Sequence, residues 1–171
     1  MHAHFLIIIP IATILLLLTS TGCTAAARSR SDRILQKQFL GPHNAARYAL
    51  RLSPLVWDSK LARYAQWYAN KRRGDCALRH SGGPYGENIF WGSGNEWTPA
   101  QAVADWVSER KWYSYWANSC VEGELCGHYT QIVWRSTRRI GCARVTCNDG
   151  KGVFITCNYD PPGNYIGMRP Y

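Results

Sequence analysis

Cysteine is the residue type whose number and spacing specify the most chemistry in this chain. Cys23 lies in an apolar leader, and the remaining six are Cys76, Cys120, Cys126, Cys142, Cys147 and Cys157. An even set behind an export signal implies three disulfides, with fifteen pairings open in principle. A zinc site built on them is a poor reading, because no C-x-x-C pair is present. Two alternating, β-branched runs, Ile140 to Asn148 and Lys151 to Tyr159, flank Asp149-Gly150, a two-residue hairpin signal. That loop sets Asn148 opposite Lys151, and continuing the register outward brings Cys142 opposite Cys157, within reach of a bridge. Cys147 then points to the other face of the sheet. Cys120 and Cys126 close a small loop around Glu122-Gly123-Glu124, which leaves Cys76 for Cys147. With all six thiols in bridges, no thiol nucleophile remains. No H-E-x-x-H helix is present either, and no serine has a base at a telling spacing.

The elements that position these residues follow from patterning. Phe5 to Leu18 is an apolar run too short to span a bilayer, and Ala25-Ala26-Ala27 suits cleavage after it. Residues 1–27 therefore read as a signal peptide, and 28–171 as one secreted, extracellular domain. Ser20-Thr21-Gly22 fits a lipoprotein signal ending at Cys23 poorly. The leader has no charged side chain, so the net charge of +9 belongs to the domain. Such a balance favours anionic cell-wall or membrane surfaces. The basic residues are scattered rather than gathered in a motif, which with the export signal argues against nucleic acid.

A helix is expected from about Ile34 to Leu52, broken at Gly41-Pro42, and a second from the N-cap Asp58 to Arg73 with Leu61, Ala65 and Tyr68 inward. Residues 79–98, rich in Gly, Ser and Asn, read as a long ordered loop. Thr98-Pro99-Ala100-Gln101 is a capping box opening a third helix, with Glu109 near its end. Residues His128 to Trp134 suit a helical turn. Helices and a hairpin in mixed order point to an α+β domain. The chain has eight Trp and ten Tyr. Trp112, Tyr113, Tyr115 and Trp116 cannot all face inward from a helix end, so they read either as a second packing layer or as an exposed apolar patch.

Four stretches stand out together: His43-Asn44-Ala45-Ala46-Arg47; Gly86-Glu87-Asn88-Ile89; Gly127-His128-Tyr129-Thr130-Gln131-Ile132-Val133-Trp134; and Cys157-Asn158-Tyr159-Asp160-Pro161-Pro162-Gly163-Asn164. In this order they resemble the signatures of the CAP superfamily, which comprises cysteine-rich secretory, antigen-five and group-one pathogenesis-related proteins. His80 to Tyr85 and the final Arg169-Pro170-Tyr171 look like its plant branch, which implies an apoplastic, monomeric protein of plant defence. The resemblance implies a three-layer α-β-α sandwich and the same cysteine pairing. It also implies a cavity tetrad at His80, Glu87, Glu109 and His128, able to hold a divalent cation such as zinc, with no cofactor required. From the residues alone, both histidines read as partly buried imidazoles bonded to nearby carboxylates. The family is similar in binding sterols and fatty acids and is not regarded as enzymatic. A lipid site at Trp112, Tyr113, Tyr115 and Trp116 is the expectation, and a metal-dependent hydrolase built on the tetrad is the alternative. The tail from Pro161 to Tyr171 is similar to the family's releasable peptide, which puts the cut between Asp160 and Pro161. Its Tyr165, Ile166 and Tyr171 would otherwise pack down and close the sandwich.

Overall fold

The computed structural model describes the backbone of residues 11–150 and 152–171, and side chains from residue 30 onward except Lys151. The chain divides into two compact units, residues 1–35 and 36–171. The expected leader, 1–27, lies outside the described residues apart from the helical backbone that starts at Ile11. Among the described residues no helix is long and apolar enough to cross a membrane.

Helix α1, Ile11–Tyr48, continues through Gly41-Pro42, where the sequence predicts a break. Proline inside a helix removes one hydrogen bond and costs about 3 kcal/mol. Here Phe39, His43 and Arg47, four residues apart and all fully buried, anchor one face of the helix on both sides of Pro42. Tertiary burial overrides the local rule. Helix α2, Ser59–Arg72, is capped by Asp58, whose carboxylate accepts from Lys60 N and Leu61 N. Helix α3, Pro99–Ser108, opens with the expected reciprocal Thr98–Gln101 box and runs into a 3-10 turn at Glu109–Trp112. The short helix α4 is Gly127–Ile132.

The main sheet contains β1 (Val56–Trp57), β2 (Gly86–Ser93), β5 (Arg139–Thr146) and β6 (Gly152–Asp160), in the order β1-β5-β6-β2. Strand β1 is parallel to β5, and the other pairs are antiparallel. A separate two-stranded ribbon joins β3 (Tyr113–Ser114) to β4 (Ser119–Cys120). Strand β6 is buried along Gly152 to Tyr159, because helices cover both faces of the sheet. On one face, Phe154 packs with Tyr68, Ala65 and Ala69 of α2. The approach is close: a Cβ on Gly141 would fall 2.1 Å from the backbone nitrogen of Ala62, so only glycine admits α2 there. On the other face, Tyr159 meets His43 of α1, and Asn88 of β2 reaches the carbonyl of His128 in α4. This is the expected α-β-α sandwich.

The hairpin register places Cys142 opposite Cys157, and the three bridges are Cys76–Cys147, Cys120–Cys126 and Cys142–Cys157. Two further expectations fail. Residues 86–93 form strand β2 rather than loop, pairing along their whole length with β6. The aromatics from Trp112 onward do not crowd a helix end: the chain leaves the 3-10 turn at Tyr113 as an extended ribbon.

His43 is fully buried and fixed as one tautomer. Its Nδ1 donates to the Phe39 carbonyl at 2.8 Å, so Nε2 accepts from the Tyr159 hydroxyl at 2.8 Å. Burial, against which the Phe39 bond works and to which Arg47 adds, lowers its pKa to about 4. The unfolded chain, with an ordinary imidazole, therefore binds the extra proton first as pH falls. Stability from this group is complete above about pH 6.5 and declines down to about pH 4, by about 3 kcal/mol in all. Urea unfolding of the native and His43→Gln chains across that window measures it. The stability gap between them should close by about that amount towards acid, and a constant gap would refute a neutral buried imidazole.

Candidate functional site

The four expected cavity residues come from four different places. His80 lies on the loop before β2, and Glu87 is the second residue of that strand. Glu109 follows α3, and His128 is the second residue of α4. They form two separate pairs. His80 Nδ1 lies 2.9 Å from Glu87 Oε1, which also accepts from Ser81 N at 2.8 Å, while Asn158 Nδ2 reaches Glu87 Oε2 at 3.3 Å. His128 Nδ1 lies 2.5 Å from Glu109 Oε1, and Glu109 Oε2 accepts from the backbone nitrogens of His128 and Tyr129 at 3.0 and 3.1 Å. The His128 ring also stacks on Trp106 at 5.8 Å.

Burial opposes the charge on Glu87, but the bonds from His80, Ser81 and Asn158 outweigh it and hold the carboxyl below its usual range. In return, the Glu87 bond raises the pKa of His80, against the effect of its partial burial. A cleft of about 350 Å³ is walled by His80, Glu87, Asn88 and His128, with Leu78 and Leu125 at its apolar margin. Glu109 is not on its wall and acts on it through His128.

Among the described residues no three of His, Cys, Asp and Glu lie close enough to hold a metal ion. The four residues of the expected set stand as two His–Glu pairs, with His80, Glu87 and His128 on one cleft. The donor chemistry fits a cation only in a narrower way. Each carboxylate holds an imidazole through Nδ1, the arrangement that orients a metal-ligating histidine, and no protein atom among the described residues bonds either Nε2.

The aromatic segment also divides. Tyr113 lines a groove of about 310 Å³ with Asn118, Thr130, Trp134, Tyr165 and Met168, between the ribbon and the tail. Tyr115 is occupied elsewhere: it stacks on Tyr171 at 4.8 Å, its hydroxyl donates to the Tyr171 carbonyl, and Arg169 lies over its ring. Trp116 is 87% exposed. Trp112 is half-buried, with the Lys111 ammonium 4.8 Å from its ring centroid.

Asp160 ends β6 and pairs with Arg139, and Pro161 begins the tail. That tail is pinned along its length. Thr137 Oγ1 donates to Pro161 O, Gly163 N to Gln131 Oε1, Asn164 Nδ2 to Gly127 O, and Arg135 N to Pro170 O. Asn164 lines both the groove and the cleft. Asn164 and Asn158 both lie in a stretch marked by the sequence, but nothing in their residue type points to a site. Their neutral amides carry no chemical signature of their own.

Residues 40–159 match the model of the cysteine-rich secretory protein family, CAP. The chain is 62% identical over 165 residues to pathogenesis-related protein PR-1 of Medicago truncatula, covering 94% of this chain and 95% of the relative. It is 54% identical over 162 residues to pathogenesis-related protein PRMS of Zea mays, covering 94% and 96%. Among solved structures, the crystal structure of Na-ASP-1 superposes with a TM-score of 0.68 at 27% identity, over 80% of this chain and 41% of that one.

Proposed function

This chain belongs to the cysteine-rich secretory protein (CAP) family, in its group-one pathogenesis-related branch, and from that premise we propose that it is a secreted plant-defence protein that sequesters sterols or related lipids in the apoplast. The observation that supports a lipid ligand is the groove beside Tyr113, with Trp134, Tyr165, Met168 and Pro170 on its walls and the exposed Trp116 close by on the same ribbon. Rigid aromatic walls with hydroxyl groups at their edges suit a molecule that is apolar along its body and polar at one end. Sequestration requires no bond-making step. Glu87 on the cleft wall and Glu109 behind His128 already accept three hydrogen bonds each, which argues against either serving as a general base.

Binding of a fluorescent sterol to the disulfide-bonded protein tests this. Tyr113→Ala with Trp116→Ala should weaken binding about tenfold, with the melting temperature moved only by the loss of Tyr113. Native-like affinity in that double variant would sink the reading.

The cleft contributes a weak site for a divalent cation, in which the two imidazoles would be ligands and would have to be neutral. Protonation competes, and because the Glu87 bond raises the pKa of His80, affinity should begin to fall above pH 6.5 as the solution is acidified. Calorimetry with zinc on the native chain and on His80→Ala with His128→Ala decides this point, and equal heats would remove the site. The releasable-peptide reading meets the pinned tail. A cut between Asp160 and Pro161 leaves the fragment held through Gln131, Gly127 and Arg135, so signalling would need a second step that unseats it.

A further inference from the structure

Helix α2 carries two unlike faces. Leu61, Ala65, Tyr68 and Ala69 are buried against the sheet. On the opposite side Lys60, Arg63, Tyr64, Trp67 and Lys71 recur at three- and four-residue spacing, and so form one stripe. At the helical rise it runs about 16 Å from Lys60 to Lys71. The helix, Ser59–Arg72, has no Asp or Glu. The acids at its two ends are engaged: Asp58 caps the helix and approaches Arg139, and Asp75 pairs with Arg72. Among the described residues Lys60, Arg63 and Lys71 form no ion pair.

Between the cations lies an aromatic ledge. Trp67 is 50% exposed, a large ring left on the solvent side of a helix whose other face supplies the core. Its centroid is 5.3 Å from that of Tyr64, and Tyr64 is 5.2 Å edge-on from Tyr85 of the following loop. Lys71 Nζ lies 4.6 Å from the Trp67 centroid, which joins the cationic and aromatic parts. The ledge is pre-set. The Tyr64 hydroxyl donates to Ser81 Oγ, and the loop closes so tightly on it that a Cβ at Gly83 would fall 2.0 Å from that hydroxyl.

We propose that the α2 stripe is a binding surface for a linear acidic polysaccharide of the uronate class. Such a strand carries a carboxylate on each sugar and presents C–H faces and hydroxyls between them. Lys60 and Arg63 at one end and Lys71 at the other take carboxylates. The Trp67–Tyr64–Tyr85 ledge takes ring faces, and the Ser81 and tyrosine hydroxyls take sugar hydroxyls. A membrane fits this face less well: Trp67 is the only large apolar side chain exposed on α2, and it stands among cations rather than in an apolar stripe. None of the stripe or ledge residues lines the groove or the cleft, and the inference stands without the lipid reading.

The test is calorimetric titration of the disulfide-bonded chain with de-esterified polygalacturonate and with its methyl-esterified form, from low to physiological salt. The native chain should bind the first polymer and not the second. Lys60→Gln, Arg63→Gln and Lys71→Gln together should weaken binding about tenfold and flatten its salt dependence, since fewer counterions are released. Trp67→Ala should weaken it several-fold at an unchanged salt slope. Arg135→Gln with Arg138→Gln removes charge elsewhere and should bind much as the native chain does. Melting curves check that each variant folds, and the Gln variants alter only exposed side chains. Equal binding of the methyl ester, native-like binding by the stripe variants, or an equal loss in the Arg135/Arg138 variant would each overturn the proposal. So would Trp67-dependent capture by phosphatidylserine vesicles without any binding of the polymer.

Discussion

Replacing Arg47 by alanine is expected to destabilise the domain by about 4 kcal/mol, a large share of the roughly 5–15 kcal/mol that holds a domain folded. Arg47 is fully buried, and among the described residues it forms no ion pair with a carboxylate. Its guanidinium instead donates to four carbonyls: Nε to Ser53, Nη1 to Ile132 and Trp134, and Nη2 to Thr137. Two of these acceptors stand at the C-terminal end of α4, where the helix dipole is negative and its last carbonyls lack partners. Burial, with Arg138 nearby, lowers the pKa of Arg47 to about 10, so it stays charged at neutral pH. Truncation to alanine would leave the buried Ile132 carbonyl without a partner among the described residues, strip one bond each from Ser53, Trp134 and Thr137, and open a cavity. Arg47→Lys separates charge from geometry. An ammonium keeps the charge but cannot present the planar fork, so it should still lose about half of that stability. Urea unfolding of the three proteins decides the point, and Arg47→Lys within about 1 kcal/mol of the native chain would show that charge alone suffices.

Arg47 also explains what the four marked stretches have in common. His43 of the first bonds Tyr159 of the fourth, and Arg47 of the first bonds Ile132 and Trp134 of the third. Glu87 and Asn88 of the second pair in register with Asn158 and Cys157 of the fourth. Asn88 also reaches His128 O and the Tyr159 hydroxyl. The stretches thus form one hydrogen-bonded node where α1, α4, β2 and β6 meet, and the cleft opens at its edge. Residue types that suggest catalysis, two His and two Glu, are here largely engaged in holding elements together.

What could be read in the sequence was local chemistry. Asp58 and Thr98 announce helix starts because a short polar side chain there meets free backbone N–H groups. Asp149-Gly150 fixes a register that carries to Cys142 and Cys157 because side chains alternate strictly along paired strands. What could not be read depends on remote partners. Strand β2 has Asn88, Ile89 and Phe90 buried in succession, so its alternation is lost between two helical layers and glycine and asparagine dominate its appearance. The groove likewise depends on the tail returning to the ribbon, through bonds from Tyr115 to Tyr171 and from Arg169 to the Tyr115 and Trp116 carbonyls. No periodicity within Trp112–Trp116 encodes that return. The stripe on α2 was open to view in its spacing, but Trp67 becomes informative only once its exposure is known.

Loss of the Cys76–Cys147 bridge is expected to be the costliest of the three. It links residues 71 apart, against 15 for Cys142–Cys157 and 6 for Cys120–Cys126. Loop-closure entropy removed from the unfolded chain then amounts to about 4, 3 and 2 kcal/mol respectively. Local structure widens the difference. Cys76 and Cys147 are buried in the cluster of Tyr68, Ala69, Val145 and Phe154, so removing both sulfurs also leaves a void beneath α2. Cys76 has a φ of +45°, left-handed for a residue with a side chain, and such backbone costs about 1–2 kcal/mol unless its surroundings enforce it. The bridge enforces it directly after α2, with Cys76 N bonded to the Arg72 carbonyl. Without the bridge the end of α2 should fray, and with it the Lys71 end of the basic stripe. Cys120–Cys126, by contrast, ties a surface loop whose residues Val121 to Leu125 are exposed. Unfolding midpoints of the Cys76→Ala, Cys147→Ala and Cys120→Ala, Cys126→Ala chains should therefore differ by at least about 2 kcal/mol in stability. Hydrogen exchange at Lys71 and Arg72 should rise only in the first pair. Equal losses in the two chains would mean that the long loop already retains structure when unfolded, and that the bridge stabilises by some route other than chain entropy.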